Sequence, residues 1–555
     1  MKETFDRSAL ADGAAIFGTV MVSALPYLSG LGFYGDDWQY QETLVRFTSQ
    51  GLGTIIPKMI NLDSHFLLRP VQLACLVFGF KAFGQNPTPY HVVISACLGL
   101  AACLLYLALR ELGIERVLAF AIGMVFGLLP HYSTDRFWIS SHQAVLCVAF
   151  ALLGIYALSR SVRPEEHSSA KWMTIAVSAL VLSILSYEVA FGFIIAALVF
   201  IGWRSYRDFN RVTIRPTCVL AYIAGTTALV MLVWILKARV QTAAVYHGHL
   251  FKRFGELSWH AIAQAVLFNL WTWGLHLPSV VISLYRSSAL GWGAGAVAMI
   301  IALFVAYYTR RLIEPATLPS RAAYCSLAAG GFLQFGLGYM IFFAGPNTNF
   351  STLGTFNRVA IASALGASCV EVASVGLLCS IVKNEKLRAG VFSVAIGVIC
   401  GVNTLIVNGI GHFWVDSASQ QAAILRSLAA SVRSLPSGSV LLLDGFCRYS
   451  DPRVVVFGAS EDTTSAIRLA LNDHSLTGDV VSPILLLDNP TAESTTADEP
   501  TPHYSYGDRL FVYNVKWHTL AKLPSREAAI DYVRKLSPAD DGCPTAEIEK
   551  DAKIF

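Results

Sequence analysis

About eleven apolar runs fill most of residues 11–410, each near the roughly 20 residues that span a hydrocarbon core as a helix. In lipid a segment must satisfy its own backbone polar groups, which leaves the helix as the solution for isolated runs of this length. By hydropathy the runs lie at 11–33, 90–110, 116–130, 142–160, 170–186, 188–203, 217–236, 290–309, 320–344, 358–382 and 389–410. Charged residues make up 14% of the chain, against roughly a quarter in soluble domains. The expected fold class is therefore an α-helical polytopic membrane protein. The first run follows MKETFDRSALADG with no clear small-residue cleavage site, so it is expected to remain as a span.

Orientation follows from the basic residues. With the N-terminus inside, Arg110 and Arg116, then Arg160, Arg163 and Lys171, fall in short cytoplasmic loops. So do Arg204, Arg207, Arg211 and Arg215, then Arg310, Arg311 and Arg321, and finally Lys383, Lys386 and Arg388. Every short basic loop then lies on one side, as the positive-inside rule requires. Two long segments remain outside. Residues 34–89 contain RPVQLACLVFGFKAFG, too short and interrupted to span and read as an interfacial helix. Residues 237–289 contain an apolar stretch broken near Pro278, read as interfacial or re-entrant.

The membrane part ends near residue 410, and residues 411–555 are of ordinary polarity. SQQAAILRSLAASVRSL has helical periodicity, while SVLLLDGF, RVVVFGA and RLFVYNV read as short buried strands. This is a small α/β domain on the extracytoplasmic side, interrupted by a loop over 489–502. Net charge is +4 with the basic residues at helix ends, which serves topology and argues against a nucleic-acid partner. Most cysteines lie in apolar runs as small hydrophobes. Cys447 and Cys543 lie in the polar part, where a disulfide between them is open.

Once topology is set, ionisable residues gather at outer helix ends: Asp36 and Asp37 in FYGDDWQY, Arg69 in LLRPVQ, His131 and Asp135 in LLPHYSTDRFWIS, Glu188 in LSYEVAF, and Arg358 in TFNRVA. Such residues near membrane depth are costly and usually face a cavity. The bland readings are a solvated acidic loop for Asp36 and Asp37, snorkelling anchors for Arg69 and Arg358, and an interfacial turn for Glu188. Together they carry the parts of a transfer to a hydroxyl: a carboxylate to take or orient its proton, and guanidinium forks to hold a phosphate leaving group. His131, Asp135 and Glu188 also offer donor types for a divalent metal ion, a point the sequence leaves open. His247 and His249 form a weaker pair of the same kind.

At these residues the chain resembles the GT-C superfamily of membrane glycosyltransferases, in its protein O-mannosyltransferase-like and TMTC-type (transmembrane and tetratricopeptide) branch, bacterial members included. Four stretches carry the likeness in the family's order: FYGDDWQY, LLRPVQLACLVFGFKAFGQNPTPYHVVISACLGLAACLLYLALREL, LLPHYSTDRFWISSHQAVLCVAFALLGIYAL and LSILSYEVAFGF. TFNRVAIASALG is a weaker fifth. The resemblance implies a GT-C-like bundle, a polyprenyl-phosphate sugar donor, inverting transfer, and Asp36 as the base with Asp37 beside it. It further implies that Arg69, Arg358, His131, Asp135 and Glu188 line the donor and acceptor cavity, in a bacterial inner membrane with the C-terminal domain periplasmic. Tyr187 stands where the family usually has lysine, His131 follows Pro130 rather than preceding a proline, and the family's C-terminal repeats are absent. The acceptor (protein, glycan or lipid) stays open. Two rivals remain: a transporter or flippase of a lipid-linked glycan, which would show paired broken helices, and a non-catalytic membrane scaffold.

Overall fold

The structure, a computed structural model, describes residues 7–162, 169–207, 259–266, most of 271–313, 318–343 and, with short gaps, 354–535, plus a few positions between 225 and 235. The chain enters as α1 (Arg7–Leu28) and emerges into a small helical subdomain of α2 (Asp36–Phe47), α3 (Leu52–Leu62) and α4 (Pro70–Phe83). α4 has 14 residues, about 21 Å of helix at 1.5 Å per residue, which is short of a bilayer and agrees with an interfacial element. Its inner face joins Phe33, Tyr40, Ile55, Met59, Phe66 and Ile139 in one apolar core.

The chain then returns as α5 (Pro87–Glu111). Asn86 caps this helix by accepting from the Thr88 amide at 3.2 Å, with Pro87 in the first turn, where no amide donor is needed. α6 (Arg116–Leu128) stops short, and the chain continues as a buried irregular turn holding α7 (Thr134–Phe137) before α8 (His142–Ser161). Non-helical backbone at this depth is tolerated because protein surrounds it. α9 (Ser169–Ser186) and α10 (Phe191–Arg207) follow, then the short α11 (Trp259–Val266) and α12 (Leu277–Arg286), and the long α13 (Trp292–Ile313), α14 (Arg321–Phe343) and α15 (Ile361–Cys379). α12 lays Val280 and Leu284 against Tyr27, Ile406, Ile410 and Trp414 at one end of the bundle. With 10 residues it cannot span, as expected for the Pro278 stretch.

Among the described residues seven helices are long and apolar enough to cross a membrane, and α6, α9 and α10 supply shorter apolar helices. These ten occupy ten of the expected spans, and the chain is an integral membrane protein. The remaining expected span, 217–236, lies outside the described residues apart from isolated positions, as do His247 and His249. Helices meet through small residues, the usual basis of association in lipid. A Cβ placed on Gly397 would lie 2.5 Å from the Ala302 carbonyl of α13, and one on Gly401 2.8 Å from the Ala302 Cβ.

The last membrane helix, α16 (Glu385–Ser431), has 47 residues. The expected end of the membrane part at 410 falls inside it, because SQQAAILRSLAAS continues the same helix with polar residues on its outer turns. The small domain then builds β1 (Val440–Asp444), the hairpin β2 (Tyr449–Asp451) and β3 (Val454–Val455), α17 (Ser460–Leu471) and β4 (Thr477–Val480). β5 (Leu485–Leu487), β6 (Thr491–Ser494) and β7 (His503–Ser505) make a second, antiparallel sheet. β6 falls inside the segment expected to be loop. β8 (Leu510–Asn514), β9 (Thr519–Lys522) and α18 (Arg526–Lys535) complete the domain. The main sheet has the order β4-β1-β8-β9, parallel except for its β9 edge. Cys447 is disulfide-bonded, while Cys543, whose pairing with it the sequence leaves open, lies outside the described residues.

Candidate functional site

The site is assembled where α2 begins. Gly35, with φ of +48°, turns the chain into that helix in a backbone conformation that side chains disfavour. The two carboxylates after it differ. Asp37 is buried, and its Oδ2 accepts from the Tyr34 amide at 3.0 Å. Its Oδ1 accepts from the Ser140 amide at 2.7 Å and from the Ser140 hydroxyl. This residue fastens the FYGDDW turn to the WISS segment. Burial pushes its carboxyl up to about 7, with the Ser140 hydroxyl and the Tyr34 amide pulling the other way. Asp36 is partly exposed, and apart from its own backbone amide no donor among the described residues hydrogen-bonds its carboxylate. Burial raises its affinity for a proton, the Arg358 guanidinium opposes that, and Asp63 and Glu461 add to it.

Arg358 reaches the same place from the turn that precedes α15. That turn is tied to the α7 turn at Asn357, whose Oδ1 accepts from the Thr134 amide at 3.2 Å, and at Gly354, whose carbonyl accepts from the Thr134 hydroxyl. The Arg358 guanidinium lies 4.8 Å from the centre of the Trp138 ring. No carboxylate among the described residues forms an ion pair with it. Trp138 is itself fixed by its Nε1 donating to the Tyr34 carbonyl at 2.8 Å. Asp135, fully buried, accepts from the Ser141 hydroxyl at Oδ1, while its Oδ2 has no hydrogen-bond partner. Burial lifts Asp135 well above the carboxylate range, against the pull of Ser141, Arg358 and Arg136. Arg358 therefore stands in the field of both Asp36 and Asp135.

Arg69 caps α4 and is held differently. Its Nη2 lies 3.3 Å from Glu188 Oε2, and its guanidinium lies 4.5 Å from the Tyr187 ring centre. Tyr187 thus supplies the ring on which Arg69 rests. His131 is buried, 6.1 Å from the Trp273 ring. Among the described residues no group of three His, Cys, Asp or Glu converges as a metal site, so His131, Asp135 and Glu188 are not brought together as a ligand set. A small apolar pocket is lined by Cys75, Gly79, Tyr90, Cys97, Ile139 and His142, among others. It reaches the residue next in the chain to Ser140.

Sequence reading alone did not single out Tyr34, Ser140 and Asn357, whose contacts set the site, nor the residues of the small domain that reach it. His474 Nδ1 lies 2.6 Å from Glu42 Oε1 of α2, across 432 residues of sequence. The Trp38 and Phe457 rings lie 6.5 Å apart, and α17 packs along α2.

No protein-family profile matches the chain, and no curated protein does. Among solved structures it is similar to the crystal structure of ArnT from Cupriavidus metallidurans bound to undecaprenyl phosphate, with a TM-score of 0.36, 13% identity and 86% of each chain covered. It is also similar to the same protein in the apo state, with a TM-score of 0.35, 13% identity, and 84% and 85% covered. At this level the likeness is one of outline, and no residue role is taken from it.

Proposed function

We propose that the chain is a membrane glycosyltransferase of the GT-C type that moves a sugar from a polyprenyl-phosphate carrier to an acceptor hydroxyl at the end of the bundle that holds Asp36. On the sequence reading this is the periplasmic side. The observation that carries the proposal is the division of labour in the acidic pair. Asp37 is consumed by Ser140 and Tyr34, whereas Asp36 keeps its oxygens available beside an arginine that no described carboxylate pairs. In the reaction Asp36 takes the proton of the acceptor O–H as that oxygen attacks the anomeric carbon. The bond from the anomeric carbon to the phosphate oxygen breaks, and polyprenyl phosphate leaves with the electron pair, its charge met by Arg358. Attack from the face opposite the leaving group inverts the anomeric centre.

Arg69, neutralised by Glu188, serves as the second and weaker phosphate contact, and Asp135 orients Arg358. His131 lines the inner wall.

The test is sugar transfer in membranes supplied with radiolabelled polyprenyl-phosphate sugars. Asp36→Asn lowers the rate about 100- to 10,000-fold, the usual cost of losing a general base, at equal protein level. Survival of transfer in that variant moves the base elsewhere. Absence of wild-type transfer from every donor returns the question to the transporter and scaffold readings.

A further inference from the structure

The small domain is joined to the bundle twice. Covalently, α16 runs into it, and two side chains of that helix grip the β2–β3 hairpin: the Ser417 hydroxyl and the Gln421 amide donate to the Val455 and Val456 carbonyls, at 2.5 and 2.7 Å. The second attachment is across space, along α2. At the far end Glu42 meets His474, just past the end of α17. In the middle Trp38 meets Phe457. α17 packs along α2, and Trp38 lies two residues after Asp36, so the small domain stands beside the site.

The start of α17 is locally rigid. Asp462, buried, accepts from the Gly458 amide at 3.0 Å and the Ala459 amide at 2.9 Å, closing the first turn back on itself. Glu461 is exposed and free of that task.

We infer that the small domain is a working wall of the transfer site, in which the Glu42–His474 contact and the Trp38–Phe457 packing latch α2, and with it Asp36, against that domain. This rests on the glycosyltransferase reading for its activity assays but not for its geometry. The charged and titratable groups around Asp36 are Asp37 and Tyr40 on its own helix, Asp63 after α3, Arg358 before α15, and Glu461 and Asp462 on α17. The only cation in that set is Arg358, on the membrane side. The wall from the small domain is acidic and repels a phosphate, so it leaves the donor to the arginine side.

Two experiments on the full-length protein in membranes test this. In the first, Glu42→Cys and His474→Cys are introduced together and bridged by a short bis-methanethiosulfonate, whose span makes up for the shortened side chains. The cross-link forms without any turnover, and the linked enzyme keeps wild-type transfer within about twofold, whereas His474→Ala alone loses about 10- to 100-fold through misplacement of α2. Failure to cross-link, or activity that returns only on reduction, overturns the latch. In the second, Phe457→Leu keeps an apolar side chain but removes the ring that meets Trp38. Then kcat falls about 10-fold through misplacement of α2 with KM little changed. An unchanged kcat overturns the role of this contact. Should the wild type transfer no sugar at all, the glycosyltransferase reading falls while the cross-link still reports on the latch.

Discussion

At the residue scale the two carboxylates of the DD pair share a sequence context and differ in use. As the proposed base, Asp36 would have to be ionised to accept a proton, and burial raises its pKa. The rate is therefore expected to fall on the acid side at a pH above the ordinary aspartate range near 4, measured as kcat/KM against pH. Asp37 predicts the pH dependence of stability. Its carboxyl is raised to about 7 in the folded protein, against about 4 unfolded. Between those values the folded state holds the extra proton, so stability is greatest at low pH and declines as pH rises towards 7. Asp462, also raised to about 7 by burial, acts in the same direction. Thermal unfolding of detergent-solubilised protein should show this decline, and Asp37→Asn should flatten it. The sequence offered the DD pair and the separate arginines, because such residues stand out against apolar runs. It gave no means of ranking Asp36 above Asp37, since the ranking comes from Ser140, and a serine in a loop has nothing to mark it.

Elements are placed by a few fixed points. Gly35 is one of them. Alanine there would force a side chain into a positive-φ turn at a cost of about 1–3 kcal/mol, and would shift the first turn of α2. Gly35→Ala is expected to lower kcat with little change in melting temperature. At the opposite end of the bundle Asp12, fully buried in α1, is bound by Arg116 Nε at 2.7 Å, Arg116 Nη2 at 2.9 Å, Tyr106 at 2.6 Å and Tyr308 at 2.9 Å. One carboxylate ties α1, α5, α6 and α13. Asp12→Ala leaves these donors unpaired, and about 3–5 kcal/mol of stability should be lost, read as a drop in melting temperature in detergent. Apolar runs long enough to span were legible from hydropathy, since length and polarity are local. The buried turn around α7 was not, for it looks like an ordinary connecting loop until the protein around it is seen. The same holds for β6, whose strand character comes from pairing with β5 and β7.

For the whole molecule, the boundary placed at 410 marked where lipid contact was expected to end, and the helix does not end there. The small domain's sheet was readable from its strand-like runs, while its contact with α2 was not, because the partners lie more than 400 residues apart. At 1.5 Å per residue, the 47 residues of α16 make a rod of about 70 Å. Its lower half sits among lipid-facing helices and its upper half carries the domain that flanks Asp36. A membrane-spanning helix tilts when bilayer thickness departs from its apolar length, and a straight rod hands that tilt to whatever is mounted above. A tilt of about 5° about mid-membrane moves a point some 40 Å up the rod by roughly 3 Å, comparable to the reach of a hydrogen bond. Transfer by the protein reconstituted in phosphatidylcholines of increasing acyl length should accordingly peak at one thickness and fall on either side. The protein would then work as a gauge of the sheet it is set in.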